Sequence, residues 1–69
     1  MTPLMLRQLW SLVETTQSNL LLNLDDNSLV QLLLGQLGRQ RSLNHQESDL
    51  LTSYIQSRIP LIRDLAQER

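Results

Sequence analysis

Wound at about 100° per residue, Met5, Leu6, Leu9, Trp10, Leu12 and Val13 share one arc of about 160°, and Arg7, Gln8, Ser11 and Glu14 fill the rest. That stripe predicts an amphipathic first helix. Its start is marked by Thr2 as N-cap and Pro3 at the first helical position, where a missing N–H costs nothing. Residues 15–19 are all polar, and Thr16 and Gln17 fall inside the apolar arc. Leu20 and Leu24 return in register, so the pattern predicts a break or frayed turn near residues 18–19.

A second helix is predicted from Asp25. Leu24 and Leu29 have the spacing of a hydrophobic staple, and Asp25 and Asp26 suit the positive end of the helix dipole. Its expected end is Gly38 as a left-handed cap, with Arg39 and Arg41 beside the negative end. Leu29, Val30, Leu32, Leu33, Leu34 and Leu37 cover about 200° of this helix, wider than the ~100° one core requires. Such a helix is either central in a bundle or faces its own core on one side and a partner on the other. The shortness of the chain favours the partner.

A third helix is expected from Ser42 or Asn44, since Asn44 with Glu47 three residues on has the form of a capping box. Leu50, Leu51, Tyr54, Ile55, Ile59, Leu61, Ile62, Leu65 and Ala66 form a stripe of about 180°. The register runs unchanged through Pro60, which itself points to the polar face. One helix kinked at Pro60 therefore explains the pattern better than a stop at Ile59 and a restart.

Composition narrows the possibilities. With 69 residues the chain is one domain, and a core of that size rarely supplies more than ~3–5 kcal/mol. There is no cysteine and one histidine, which removes disulfides and cysteine- or histidine-rich metal sites as staples. The remaining staple is a second chain. The apolar residues are nearly all leucine, which suits helix-on-helix packing. A net charge of −1 provides no field for nucleic acid or an anionic membrane. All basic residues are arginine, by codon bias or for arginine-specific contacts. No apolar run approaches the ~20 residues of a membrane span and no signal peptide is discernible, so a soluble, cytoplasmic protein is expected.

Candidate chemistry is sparse. The turn at residues 38–42 joins two helices as in a DNA-binding helix-turn-helix. Its recognition helix, however, would offer His45, Gln46, Glu47, Ser48 and Asp49, two of them carboxylates facing phosphate. His45 and Asp49 are only two ligands, too few for a metal site. Asp25 and Asp26 read as helix caps rather than an acid–base pair, and no glycine-rich phosphate loop is present. No enzyme activity, cofactor or metal is expected. Arg58 stands out in the middle of the third helix's apolar arc. It either lays its stem on the core with its head in water or pairs with Glu47 of an antiparallel second copy. Trp10, at the edge of the first stripe, is an interface candidate. Gly35 costs roughly 1 kcal/mol on the polar side of the second helix relative to alanine.

The opening Pro3-Leu4-Met5-Leu6-Arg7-Gln8-Leu9-Trp10 and the closing Ser57-Arg58-Ile59-Pro60-Leu61-Ile62-Arg63-Asp64-Leu65-Ala66 resemble small conserved cyanobacterial proteins of unknown function. The resemblance spans the whole chain and implies a cytoplasmic setting; it carries over no functional residue. The fold expected is all-α, a single domain over residues 1–69 with three or four helices, a Pro60-kinked C-terminal helix and completion by two-fold dimerisation. The function expected is a non-enzymatic, self-associating interaction or adaptor module, with Trp10, Leu29, Leu33, Leu37, Glu47, Tyr54, Arg58 and Ile62 as interface residues. A small helix-turn-helix regulator and an accessory subunit of a larger complex are the alternatives.

Overall fold

The computed structural model describes residues 2–68, which form four helices: α1 Pro3–Thr15, α2 Ser18–Asn23, α3 Asp26–Gln40 and α4 His45–Gln67. The fold is the expected all-α bundle, in its four-helix form. Among the described residues, no helix is long and apolar enough to cross a membrane.

Each boundary has a local cause. Thr2 caps α1 by accepting the Met5 N–H at 3.2 Å, with Pro3 following it. The break falls at Thr16 and Gln17, two residues before the position expected. Both take extended backbone, and the Thr16 N–H and hydroxyl both donate to the Leu12 carbonyl, at 2.9 and 2.6 Å. A threonine able to satisfy that carbonyl can be buried in the apolar arc, and Thr16 is. Gln17 then starts α2, its carbonyl accepting from Leu20 and Leu21.

Asp25 caps α3, accepting from the Ser28 N–H at 3.2 Å. Hydrogen bonding from the Ser28 side chain, then from its backbone, holds the Asp25 carboxyl below its ordinary range. A depressed carboxyl pKa makes the cap's contribution full at neutral pH and lost as acid protonates it. Contrary to expectation, Gly38 is not a left-handed cap. Neither glycine has positive φ, and α3 runs on to Gln40 before leaving through extended Arg41, whose N–H bonds Leu37 at 3.1 Å. Arg41 also donates to Gln8 of α1 at 3.3 Å, which ties this exit to the first helix. Both glycines are therefore ordinary, exposed helix positions, and a methyl group at either meets nothing within 4 Å. Gly35→Ala and Gly38→Ala should each raise stability by ~0.5–1 kcal/mol, read as a higher urea midpoint at unchanged slope.

Asn44 opens α4 with both halves of the capping box, Glu47 N–H to Asn44 Oδ1 at 2.7 Å and Asn44 N–H to Glu47 Oε1 at 3.1 Å. One helix of 23 residues then runs through Pro60. Pro60 is exposed, so the Gln56 carbonyl that lacks its helical N–H partner lies on the solvent side, where the loss costs least.

α3 is the central helix, packed against α1 and α4, and α4 also packs on α2. This explains the wide apolar arc of α3. Leu29, Val30, Leu33 and Leu37 are at most 1% exposed, against α1 and α4 of the same chain, while Leu32 and Leu34 are half-buried. Met5, Leu9 and Val13 from α1, Leu21 from α2, and Leu51, Ile55 and Ile62 from α4 complete the core. The radius of gyration is 11.2 Å, against ~11 Å for a compact domain of this length. One copy closes its own core.

Candidate interaction surface

The broad stripe of α4 divides into two faces. Leu51, Ile55, Ile59, Ile62 and Ala66 point into the bundle and are at most 5% exposed. Leu50, Leu61 and Leu65 lie to one side and remain 48%, 46% and 40% exposed. On a helical wheel these three fall with Tyr54 inside about 60°, a narrow seam of the kind one helix offers another. Among the described residues, Leu4 and Leu20 are the other well-exposed large apolar side chains and lie on α1 and α2.

Tyr54 anchors the middle of the seam to the rest of the bundle. Its hydroxyl accepts from Trp10 Nε1 at 3.1 Å, and the two rings meet edge to face, centroids 6.4 Å apart at 83°. On the other side the Arg58 guanidinium lies over the Tyr54 ring, 5.1 Å from its centroid. The contact leaves Arg58 exposed and gives its charge a π face to rest on. Arg58 thus marks the border between the buried arc of α4 and its outward leucines. Half-buried Trp10 satisfies its N–H inside the same chain while its ring supports the seam from α1.

Three of the eight expected interface residues, Trp10, Tyr54 and Arg58, are thereby brought together. Glu47 lies elsewhere, its carboxylate engaged in the α4 capping box. Leu29, Leu33, Leu37 and Ile62 are buried within the single chain at 0–1% exposure, so none of them is on its surface. The residues that do face outward, Leu50, Leu61 and Leu65, belonged to the predicted stripe. They stand together at one edge of that stripe, which at about 180° is wider than the ~100° a helix turns to a single neighbour.

Arg63 was not visible as a functional position. Its guanidinium donates to the carbonyls of Leu22 at 3.2 Å and Leu24 at 2.9 Å, and pairs with Asp26 at 2.7 Å. It thus occupies the carbonyls left open where α2 ends, a loss every helix C-terminus must make good. Only the predicted helix start at Asp25 hinted at such a need. Arg41, at the opposite end of the bundle, bonds Gln8 through Nη1.

The remaining features are slight. A shallow depression of about 240 Å³ is lined by Gln31, Leu32, Gly35, Gln36 and Arg39, all from α3. His45 and Asp49 approach to 3.7 Å at the start of α4, with both side chains largely in solvent at 96% and 72% exposure.

No protein-family model matches the chain, and no curated protein or solved structure shows significant similarity to it.

Proposed function

We propose that this protein is a non-enzymatic interaction module that pairs with a second copy of itself through the outward seam of α4. One observation carries the reading. Leu50, Leu61 and Leu65, each at least 40% exposed, line up on one side of one helix, although the core is already closed without them. Scattered single leucines on a surface need no explanation, but an aligned set beside a rigid aromatic does. Tyr54, locked between Trp10 and Arg58, loses little freedom on contact, as suits an interface anchor. The helix-turn-helix reading gains nothing, since the first turns of α4 present Glu47 and Asp49 with no basic cluster beside them.

Magnitudes make the pairing weak. Burying a leucine fully is worth ~1.5–3 kcal/mol, so six half-covered leucines from two copies supply roughly 4–9 kcal/mol. Association costs about 4–15 kcal/mol. The module therefore associates in a concentration-dependent way and is folded in both states.

The test is a Leu61→Glu/Leu65→Glu double variant examined by sedimentation at high concentration. Both positions are exposed, so helicity and melting temperature should change little while the mass falls to that of one chain. A double variant that assembles as the wild type does places the pairing surface elsewhere and defeats the proposal.

A further inference from the structure

We infer that the two copies pair antiparallel along α4, about a dyad between Ser57 and Arg58. This rests on the pairing reading above and specifies its geometry. The seam residues Leu50, Tyr54, Leu61 and Leu65 are separated by four, seven and four positions, a spacing that reads the same in both directions. Reversing one helix about the midpoint therefore sets Leu50 against Leu65 of the other copy and Tyr54 against Leu61, with no seam residue unmatched.

A parallel, in-register pair would bring both Tyr54 rings, each already carrying Trp10 and Arg58, to the same level. The antiparallel pair instead sets each ring against a leucine. Antiparallel packing also places the positive N-terminal end of each α4 beside the negative C-terminal end of the other. The other competitor joins Glu47 of one copy to Arg58 of the other. It moves Leu61 and Leu65 past the start of the facing helix, and Glu47 is already held by Asn44. An exposed ion pair contributes far less than burying leucines, so the leucine register prevails.

The contact is small. The seam spans 16 residues and about 22 Å, and one helix face is roughly 10 Å wide. Each copy thus falls short of the ~800 Å² a stable dimer contributes. Two guanidinium groups of Arg58 also stand close to the dyad, and Glu47 faces Glu68 of the other copy. Both are like-charge encounters that salt screens. Pairing should accordingly tighten as salt is raised, whereas the Glu47–Arg58 register would weaken.

The chain has no cysteine, so single nitroxide labels at Ser57→Cys, Ser53→Cys and Gln46→Cys are unambiguous. Dipolar distances are measured at millimolar protein, with the mass determined on the same samples. Two copies of a label sit almost level at Ser57, about 14 Å apart along the helix axis at Ser53 and about 35 Å apart at Gln46. The expected result is a graded increase from Ser57 through Ser53 to Gln46. Should the Ser57 label itself block pairing, the other two still give the order. Equal short distances at all three sites, in a sample with the mass of two chains, overturn the antiparallel register and leave pairing intact. No dipolar coupling from any label, with unlabelled protein at the mass of one chain, overturns both.

Discussion

Leu33→Ala unfolds a large fraction of the molecules at 25 °C. Leu33 is fully buried on α3, which packs against both α1 and α4. Truncating such a leucine removes the burial of its own atoms and opens a cavity the neighbours only partly fill, at a cost of ~2–5 kcal/mol. A single core in a chain this small supplies about 3–5 kcal/mol in total, so the loss is comparable with the whole stability. The comparison that isolates the cause is Leu32→Ala. Leu32 is the neighbouring, half-buried residue on the same helix, and its truncation should cost under ~1 kcal/mol. Urea titrations of the two variants, followed by circular dichroism, separate them. Similar midpoints would mean that α3 is not central. The same placement decides what Leu33→Asp does: it unfolds each copy rather than parting two folded ones, because the aspartate has no partner in the core.

Arg63→Gln loosens the junction of α2 and α3. The guanidinium joins three elements: it rises from α4, binds the carbonyls of Leu22 and Leu24 at the end of α2, and pairs with Asp26 in the first turn of α3. Hydrogen bonds from a charged donor are worth roughly 1.5–3 kcal/mol each and do not add fully. The Asp26 carboxylate is 76% exposed, so its ion pair contributes little beyond the two carbonyl contacts. A loss of about 2–3 kcal/mol is expected, concentrated at the α2–α3 junction. Amide exchange should show it: protection of Leu21 and Leu24 falls more than that of Leu51 and Ile55. Arg63→Lys recovers less than half, because a point charge cannot serve two carbonyls and a carboxylate as the planar fork does. Asp26→Asn should cost under ~1 kcal/mol. A Gln variant whose exchange rises evenly over all helices would contradict a local role for Arg63.

Much of this architecture is written locally. The Thr2 and Asn44 caps, the start of α3 at Asp25 and the passage of α4 through Pro60 all follow from neighbouring residues, because each depends on hydrogen bonds or periodicity spanning one or two turns. The features that escaped reading depend on contacts far apart in the chain. Gly38 has the usual signature of a helix end, yet α3 continues because Arg41 can exit in extended form with its side chain anchored on Gln8 of α1. The wide arc of α3 suggested a second chain, but α1 supplied the cover. The outward seam of α4 was legible in principle from the width of its stripe. What periodicity could not tell was which half of that stripe would be buried, since the answer lies in where α2 and α3 pack. Trp10 and Tyr54 are 44 residues apart, so their hydrogen bond leaves no trace in spacing. Arg58 was visible as an oddity in an apolar arc, and its contact with Tyr54 one turn earlier was within reach of helical geometry.

Whether each copy folds by itself and pairs through α4 is read from sedimentation across a dilution series from millimolar to micromolar protein, with helicity recorded at each point. The mass should fall from near that of two chains toward 8.0 kDa while the helicity per residue stays constant. A mass of one chain throughout would contradict pairing, and helicity that disappears along with the dimer would contradict a core closed within one copy.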